Sequence, residues 1–399
     1  MRPAGRVRAD PRCCPLEPGV RVSSPAPDVP AVVAGVGLTL GVEEEFHLVD
    51  PETLAMTGSS EVADAAVRGQ AGPHVQPEIS TTQLETATGV CTTLDSLRAE
   101  LAVTRAEVVA AAARGGLRVL PASTHPFSSW RELRLTDAPR YRVMVDKWAS
   151  LAEQQDICGM HVHVGVPDLD TAVAVMDRAR PYLPVLLAMT GSSPFHGGIE
   201  TGYESYRTIW WSRWPVSGPP EPMGDADAYR AVVAELVASG IVPDASNLYW
   251  DLRPSTHVPT LEFRGGDLCP DVDDVVLHAA LARSLVRVLA ARAERDEPPL
   301  LVRPEVLRSA RWRAAREGLS GRLFDPVAGT LVDAAVAVRR LVAELADELA
   351  DRGELEEVQA LTEQLLARGT SAARQLATHR RTGDLRAVAA ELVEGFPGA

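Results

Sequence analysis

Three pairs of residues, each spaced two apart, have the side chains for metal and phosphate chemistry. Glu43 and Glu45 lie in LTLGVEEEFHLV, His161 and His163 in CGMHVHVGV, and Glu262 and Arg264 in PTLEFR. Side chains alternate along an extended strand, so residues two apart project from one face. Apolar residues occupy the other phase: Leu40, Val42, Phe46 and Leu48 in the first segment, Met160, Val162 and Val164 in the second, Leu261 and Phe263 in the third. If these strands are neighbours, three carboxylates, two imidazoles and a guanidinium converge on one sheet face. Carboxylates so crowded stay ionised only with cations between them. An oxygen-rich donor set with one or two nitrogens suits Mg²⁺ or Mn²⁺. The guanidinium, always charged and planar, suits phosphate.

Two of the pairs have a plainer explanation when taken singly. Glu43 and Glu45 could be a solvated strand face, and Glu262 with Arg264 a surface ion pair worth little. The shared phase of alternation favours chemistry. A fourth segment, PEISTTQLETATG over residues 77–89, holds Glu78 and Glu85 among Thr81, Thr82 and Thr86. A loop leading into a strand would bring both carboxylates to the same cluster.

Elements that position these residues follow from pattern. Pro-rich residues 1–35 cannot pack a core and are expected to form a disordered tail, with one domain over residues 36–399. Strands are expected at 38–49, 117–121, 158–166, 247–253 and 259–264. Thr93 or Asp95 caps a helix that runs to Arg114 and stops at Gly115 and Gly116. Further helices are expected at 139–154, from Asp168 or Asp170 to Tyr182, and at 225–238 and 271–294. The remainder reads as helical, with segments at 333–351, 354–368 and 384–394. Residues 195–223 crowd Phe195, Tyr203, Tyr206, Trp210, Trp211 and Trp214 among Gly and Pro without a clean period. They read as a long structured loop, and 195–214 as a candidate lid. Strands separated by helices predict an α+β fold, with helices on one sheet face and the other open.

Bulk properties exclude several classes. The 399 residues are 46% hydrophobic and 24% charged, with a net charge of -14. So acidic a chain is a poor non-specific binder of nucleic acid and is repelled by anionic lipid. No apolar run is long enough to span a membrane. Five cysteines at Cys13, Cys14, Cys91, Cys158 and Cys269 show no zinc or redox spacing. Free thiols in a reducing cytoplasm are the expectation.

The segments LTLGVEEEFHLVDPETL, PEISTTQLETATGVC, STHPF, CGMHVHVG, LLAMTGSSPF and YWDLRPSTHVPTLEFRGGD resemble the glutamate–cysteine ligase type 2 family, the carboxylate–amine ligases. GMHVH and LEFR also look like pieces of glutamine synthetase. The resemblance implies a curved, mainly antiparallel sheet whose concave face binds ATP, Mg²⁺ or Mn²⁺, and glutamate. It implies metal binding by Glu43, Glu45, Glu78, Glu85, His161 and Glu262, and a nucleotide contact from His163. Arg264 and Arg253 look like phosphate contacts, and Arg207 and Trp211 like substrate contacts. Small-molecule partners, glutamate and an amino-acid amine, are implied, and a homodimer is a reasonable expectation. Gly265 and Gly266 depart from the apolar residue expected after Arg264, and are expected to loosen that strand end. The leader has no counterpart.

Two other classes compete. A metal-dependent hydrolase could use the His-x-His strand and recruit His196, His257 or His278. A relative that binds nucleotide without turnover would keep the same ligands.

Overall fold

The computed structural model describes residues 39–396, so the expected tail and the pair Cys13 and Cys14 lie outside the described residues. The alternating segments form the middle of one sheet. In chain order its first strands are β1 (Leu40–Val49), β2 (Val75–Pro77), β3 (Gln83–Ala87), β4 (Arg118–Leu120) and β5 (Gly159–Gly165). A separate hairpin holds β6 (Phe195–His196) and β7 (Ile199–Glu200). The main sheet resumes with β8 (Leu252–Pro254) and β9 (Thr260–Asp267). Its order is β2-β3-β1-β5-β9-β8, with β4 pairing β1, and every pairing is antiparallel.

One face of this sheet is apolar and covered. Leu40, Val42, Met160, Val162, Val164, Leu261 and Phe263 all belong to the main core and are nearly inaccessible to solvent. Against them pack helices α2 (Leu94–Arg114), α5 (Leu169–Ala179) and α9 (Val272–Glu294), with the shorter α1 (Ser60–Val67), α3 (Pro139–Trp148) and α4 (Ser150–Glu153) elsewhere on the sheet's flank. Each fully buried Leu or Val side chain contributes about 1.5–3 kcal/mol, so the covered face dictates the register and thereby which residues reach the open face. Side-chain caps define the helix starts: Thr93 with Ser96 forms a capping box on α2, Asp168 caps α5 and Asp271 caps α9.

Several boundaries differ from expectation for local reasons. The helix expected over 139–154 breaks at Ala149, whose φ of 48° lies in the left-handed region. The one expected to reach Tyr182 ends at Ala179 and tightens into a 3-10 turn at Arg180–Tyr182. The strand expected over 247–253 shrinks to Leu252–Pro254 after a 3-10 turn at Ala245–Asn247 capped by Asp244. The supposed loop at 195–223 contains the hairpin β6–β7 and a helix α7 (Tyr206–Trp211), which follows α6 (Leu183–Met189) and precedes α8 (Ala226–Ala238).

The C-terminal part carries α10 (Pro304–Glu317), a hairpin of β10 (Arg322–Asp325) and β11 (Thr330–Asp333), then α11 (Ala334–Glu344), α12 (Ala346–Asp351), α13 (Leu355–Arg368), α14 (Ser371–Thr382) and α15 (Leu385–Glu394). Sequence pattern had not separated α10, the hairpin or α14.

Candidate active site

The strand register brings the sequence-picked residues together. Glu43 stands opposite His161 across β1 and β5. His163 stands opposite Glu262 across β5 and β9, and Glu45 opposite Glu85 across β1 and β3. His161 Nδ1 lies 3.0 Å from Glu43 Oε2, and His163 Nε2 lies 3.3 Å from Glu43 Oε1. His161 Nε2 is 4.0 Å from Glu45 Oε1, and His163 Nε2 is 4.0 Å from Glu262 Oε1. The other nitrogen of His163 is held 2.8 Å from Thr260 Oγ1, which fixes the ring. Gly159 N–H donates to Glu45 Oε2 at 2.6 Å.

A bulge on β9 shapes the right-hand side of this cluster. From Met160 to Val162 on β5, the partner on β9 moves from Gly266 to Phe263, which leaves one extra residue around Arg264 and Gly265. The ladder is interrupted at this bulge, and β9 continues beyond it to Asp267. The strands approach closely nearby: a Cβ on Gly266 would lie 3.3 Å from Met160 Cε, so the thioether end would have to shift slightly to admit one. Arg264 pairs with Glu262 Oε1, while Arg253 Nε donates to Glu262 Oε2 at 2.8 Å. Arg253 Nη1 also donates to the carbonyls of Ser246 and Leu248, at 2.8 and 2.7 Å. Arg253 is thus tied to protein acceptors through Nε and Nη1. This geometry lets Arg253 hold Glu262 in place.

Burial and mutual repulsion oppose full ionisation of the clustered carboxylates. Burial and the Glu45 carboxylate push Glu78 up to about 7. Burial, then the carboxylates of Glu43, Glu78 and Glu45, push Glu85 well above its ordinary range. Burial opposes ionisation of Glu43 too, but hydrogen bonding to His161 and His163 holds it well below that range. Glu262 is likewise lowered, because Arg264 and Arg253 outweigh its burial. Burial and Arg264 lower His161, which keeps an imidazole neutral and able to ligate. Repulsion among like charges is what divalent ions relieve. Two donor groups, Glu43 with His163 and Glu262, and Glu43 with Glu85 and His161, each have ligand atoms within 4.8 Å of one another and share Glu43. This donor set fits Mg²⁺ or Mn²⁺.

Two cavities adjoin the cluster. One of ≈ 130 Å³ is lined by Glu45, Glu78, His161, Arg207 and Arg264 with an aromatic wall of Tyr141, Trp211, Trp214 and Tyr249. The other, of ≈ 400 Å³, is lined by Glu43 and His163 together with Val42, Val166, Val258 and Pro259. A ≈ 480 Å³ cavity between the start of α9 and the α14–α15 pair has none of the clustered carboxylates in its lining and is not part of this site.

Sequence comparison identifies the family. A profile of glutamate–cysteine ligase family 2 matches residues 39–391. The chain belongs to the glutamate–cysteine ligase family 2. Among its relatives, a Saccharopolyspora erythraea protein named "Putative glutamate--cysteine ligase 2-1" is 43% identical over 90% of this chain and 95% of its own length. A Rhodopirellula baltica protein named "Putative glutamate--cysteine ligase 2" is 36% identical over 90% and 98%. The fold is shared with a glutamate–cysteine ligase from Francisella tularensis crystallised with AMP, at a TM-score of 0.68 and 13% identity, over 90% of this chain and 88% of that one. It is shared also with a bifunctional glutathione synthetase from Pasteurella multocida, at a TM-score of 0.64 and 16% identity, over 90% of this chain but 52% of that one.

For this ligase the hydrolase alternative loses its footing. His196 pairs with Asp156 at 3.0 Å, and His278 is buried on α9, on the helix-covered side. Neither they nor His257 joins the two donor groups above. The aromatic segment expected to act as a lid supplies Trp211 and Trp214 to the wall of the smaller cavity. Trp210 Nε1 donates to Gln154 O, Trp211 Nε1 to Tyr249 O and Trp214 Nε1 to Gln155 Oε1, at 3.0, 3.3 and 3.0 Å. On α7, Arg207 and Trp211 are one turn apart and share the cavity-facing side. The signal for α7 was present as Ser205, whose side chain caps it. Among the described residues no helix is long and apolar enough to cross a membrane.

Proposed function

We propose that this ligase joins the side-chain carboxylate of L-glutamate to the amine of L-cysteine at the expense of ATP, through an acyl phosphate. The observation that carries the reading is the donor cluster of Glu43, Glu85, Glu262, His161 and His163, with Glu45 and Glu78 beside it and two adjoining cavities. A largely apolar slot that includes metal donors suits a purine ring whose phosphates reach the ions. The smaller cavity offers Arg207 and Arg264, whose Nε atoms are buried without a protein partner, to an acidic substrate.

In this scheme Glu43, Glu45, Glu78, Glu85, His161 and Glu262 would hold Mg²⁺ or Mn²⁺, and His163 would contact the nucleotide. The chemistry supplied by such ions, once bound, would be neutralisation of phosphate charge and polarisation of the transferring group. An oxygen of the glutamate side chain attacks the γ-phosphorus, the bond from phosphorus to the ADP oxygen breaks, and ADP leaves. Arg264 stabilises the charge that builds on the transferring phosphoryl group, while Arg253 keeps Glu262 in place. The cysteine nitrogen then attacks the acyl carbon, phosphate leaves with the bonding pair, and the nitrogen releases its proton. Trp211 and its aromatic neighbours wall the acyl phosphate from water.

No enzyme nucleophile is needed in this scheme. Cys158 lies on the strand approach to the site, but burial pushes its thiol well above the ordinary range, and Gln83 Nε2 donates to its sulfur at 3.4 Å. Cys158→Ser is expected to keep near-wild-type turnover in a steady-state assay. Complete loss in a folded variant would contradict the non-covalent scheme.

The reading is tested by phosphate release. Purified protein with ATP, Mg²⁺ and L-glutamate should release phosphate when an amine is added, cysteine foremost among roughly twenty natural amino acids. EDTA should abolish release and added Mg²⁺ restore it. Release that ignores the amine, or nucleotide binding without release across the panel, would refute the proposal.

A further inference from the structure

We propose that Asp267 is a positioning residue that sets Arg207, and through Arg207 the carboxylate of the acidic substrate; the substrate half rests on the ligase reading above. Asp267 ends β9, the strand that carries Glu262 and Arg264, and it is completely buried. It is absent from the lining of both cavities beside the cluster. Its side chain works as a double acceptor. Oδ2 accepts from Ser192 N–H at 3.0 Å and from Ser193 Oγ at 2.6 Å, and Oδ1 accepts from Ser205 Oγ at 2.8 Å.

Both hydroxyls so oriented act on the start of α7. Ser193 Oγ accepts from Arg207 N–H at 3.0 Å. Ser205 is the N-cap, and its Oγ accepts from Thr208 N–H at 3.4 Å. One carboxylate therefore ties the backbone of Arg207 and its helix to the catalytic strand. The far end of the side chain is fitted as closely. Arg207 Nη2 donates to Arg264 O at 3.2 Å and Nη1 to Gly265 O at 3.4 Å. The guanidinium lies against Gly159, where a Cβ would come within 2.3 Å of Nη2. Held at backbone and fork, Arg207 keeps its buried Nε without a protein partner, beside the cavity that it lines. A neutral packing residue would fill the volume of Asp267. It would not supply two acceptors to three donors, nor the negative charge that faces Arg207.

Asp267→Asn separates these roles, because the amide offers an acceptor on one side and a donor where an acceptor is needed on the other. L-glutamate is titrated calorimetrically into wild-type and variant protein loaded with Mg²⁺ and ADP, and hydrogen exchange is followed at the amides of Arg207 and Thr208. Glutamate affinity should fall about ten- to a hundred-fold, the scale of a misplaced binding group. ADP affinity should stay near wild type, and the two amides should exchange faster. In an Arg207→Ala background, Asp267→Asn should cause no further loss of glutamate binding, since the two act in series. Gly159→Ala, whose Cβ would collide with the guanidinium itself, should weaken glutamate binding without speeding exchange at α7. Unchanged glutamate binding in Asp267→Asn, equal losses for ADP and glutamate, or an added loss in the Arg207→Ala background would overturn the proposal. A wild type that binds no L-glutamate overturns the ligase reading and the substrate half with it. The exchange measurement then still decides whether Asp267 sets Arg207.

Discussion

Glu262→Gln should leave a folded protein whose ATP-dependent phosphate release is lower by at least about a hundred- to a thousand-fold, the cost of removing one preorganised charge from a transition-state site. Glu262 is buried and meets four cationic or ligating groups at once: Arg264, Arg253, His163 and His161. Glutamine keeps the shape and one acceptor oxygen. It loses the negative charge needed by a divalent ion, and it releases Arg264 from its partner, so that the guanidinium no longer has a fixed aim. Both effects act on the transition state more than on substrate binding, so kcat should fall more than KM for glutamate rises. Stabilisation by Mg²⁺ and ADP in a melting experiment should shrink in parallel. The fold should survive, because the core opposite the site is untouched. Near-normal turnover in this variant would remove Glu262 from the chemistry. Loss of turnover with full retention of metal-dependent stabilisation would confine its role to the phosphoryl step.

Much of this site was legible because a strand writes its faces into the sequence with a period of two. Glu43 with Glu45, His161 with His163, and Glu262 with Arg264 each declared a common face, and apolar residues at the other phase declared which face was covered. Adjacency was not legible. That Glu43 meets His161, and His163 meets Glu262, depends on register between strands far apart in the chain, which the covered core decides. Glu78 stayed ambiguous for a related reason. It sits in an irregular segment before β3, where no period applies, and tertiary packing turns it toward Glu45. The helix α7 was hidden by its shortness and by flanking Gly and Pro, which erased the helical pattern. Asp267 carried no sequence mark either, because its partners Ser192, Ser193 and Ser205 come from a different segment.

The middle residue of the first motif went unread, and it carries the second large effect. Glu44 points away from Glu43 and Glu45 into the covered face, where apolar residues were expected. There it meets Arg105 of α2 in a two-pronged pair, Nη2 to Oε1 at 2.6 Å and Nε to Oε2 at 3.0 Å, with both side chains essentially inaccessible. Arg105 also donates to the carbonyls of Cys269 and Pro270, at 2.8 and 2.6 Å, which leads from β1 to the start of α9. Arg105→Ala removes the cation and leaves the carboxylate buried. Stranding one partner of a buried pair costs about 3–5 kcal/mol, a large part of the roughly 5–15 kcal/mol that holds a domain together. The melting midpoint should fall by on the order of 10 °C. The double variant Glu44→Leu with Arg105→Met should recover most of that loss, because no charge is then stranded, although the carbonyls of Cys269 and Pro270 lose their donor. Turnover should drop in Arg105→Ala beyond what stability alone explains, since Glu44 sits on β1 between two proposed ligands and fixes the pleat that aims them. Equal melting points for wild type, single and double variants would show that the pair does not clamp β1, and Glu43 and Glu45 would then owe their aim to the β1–β5 register alone.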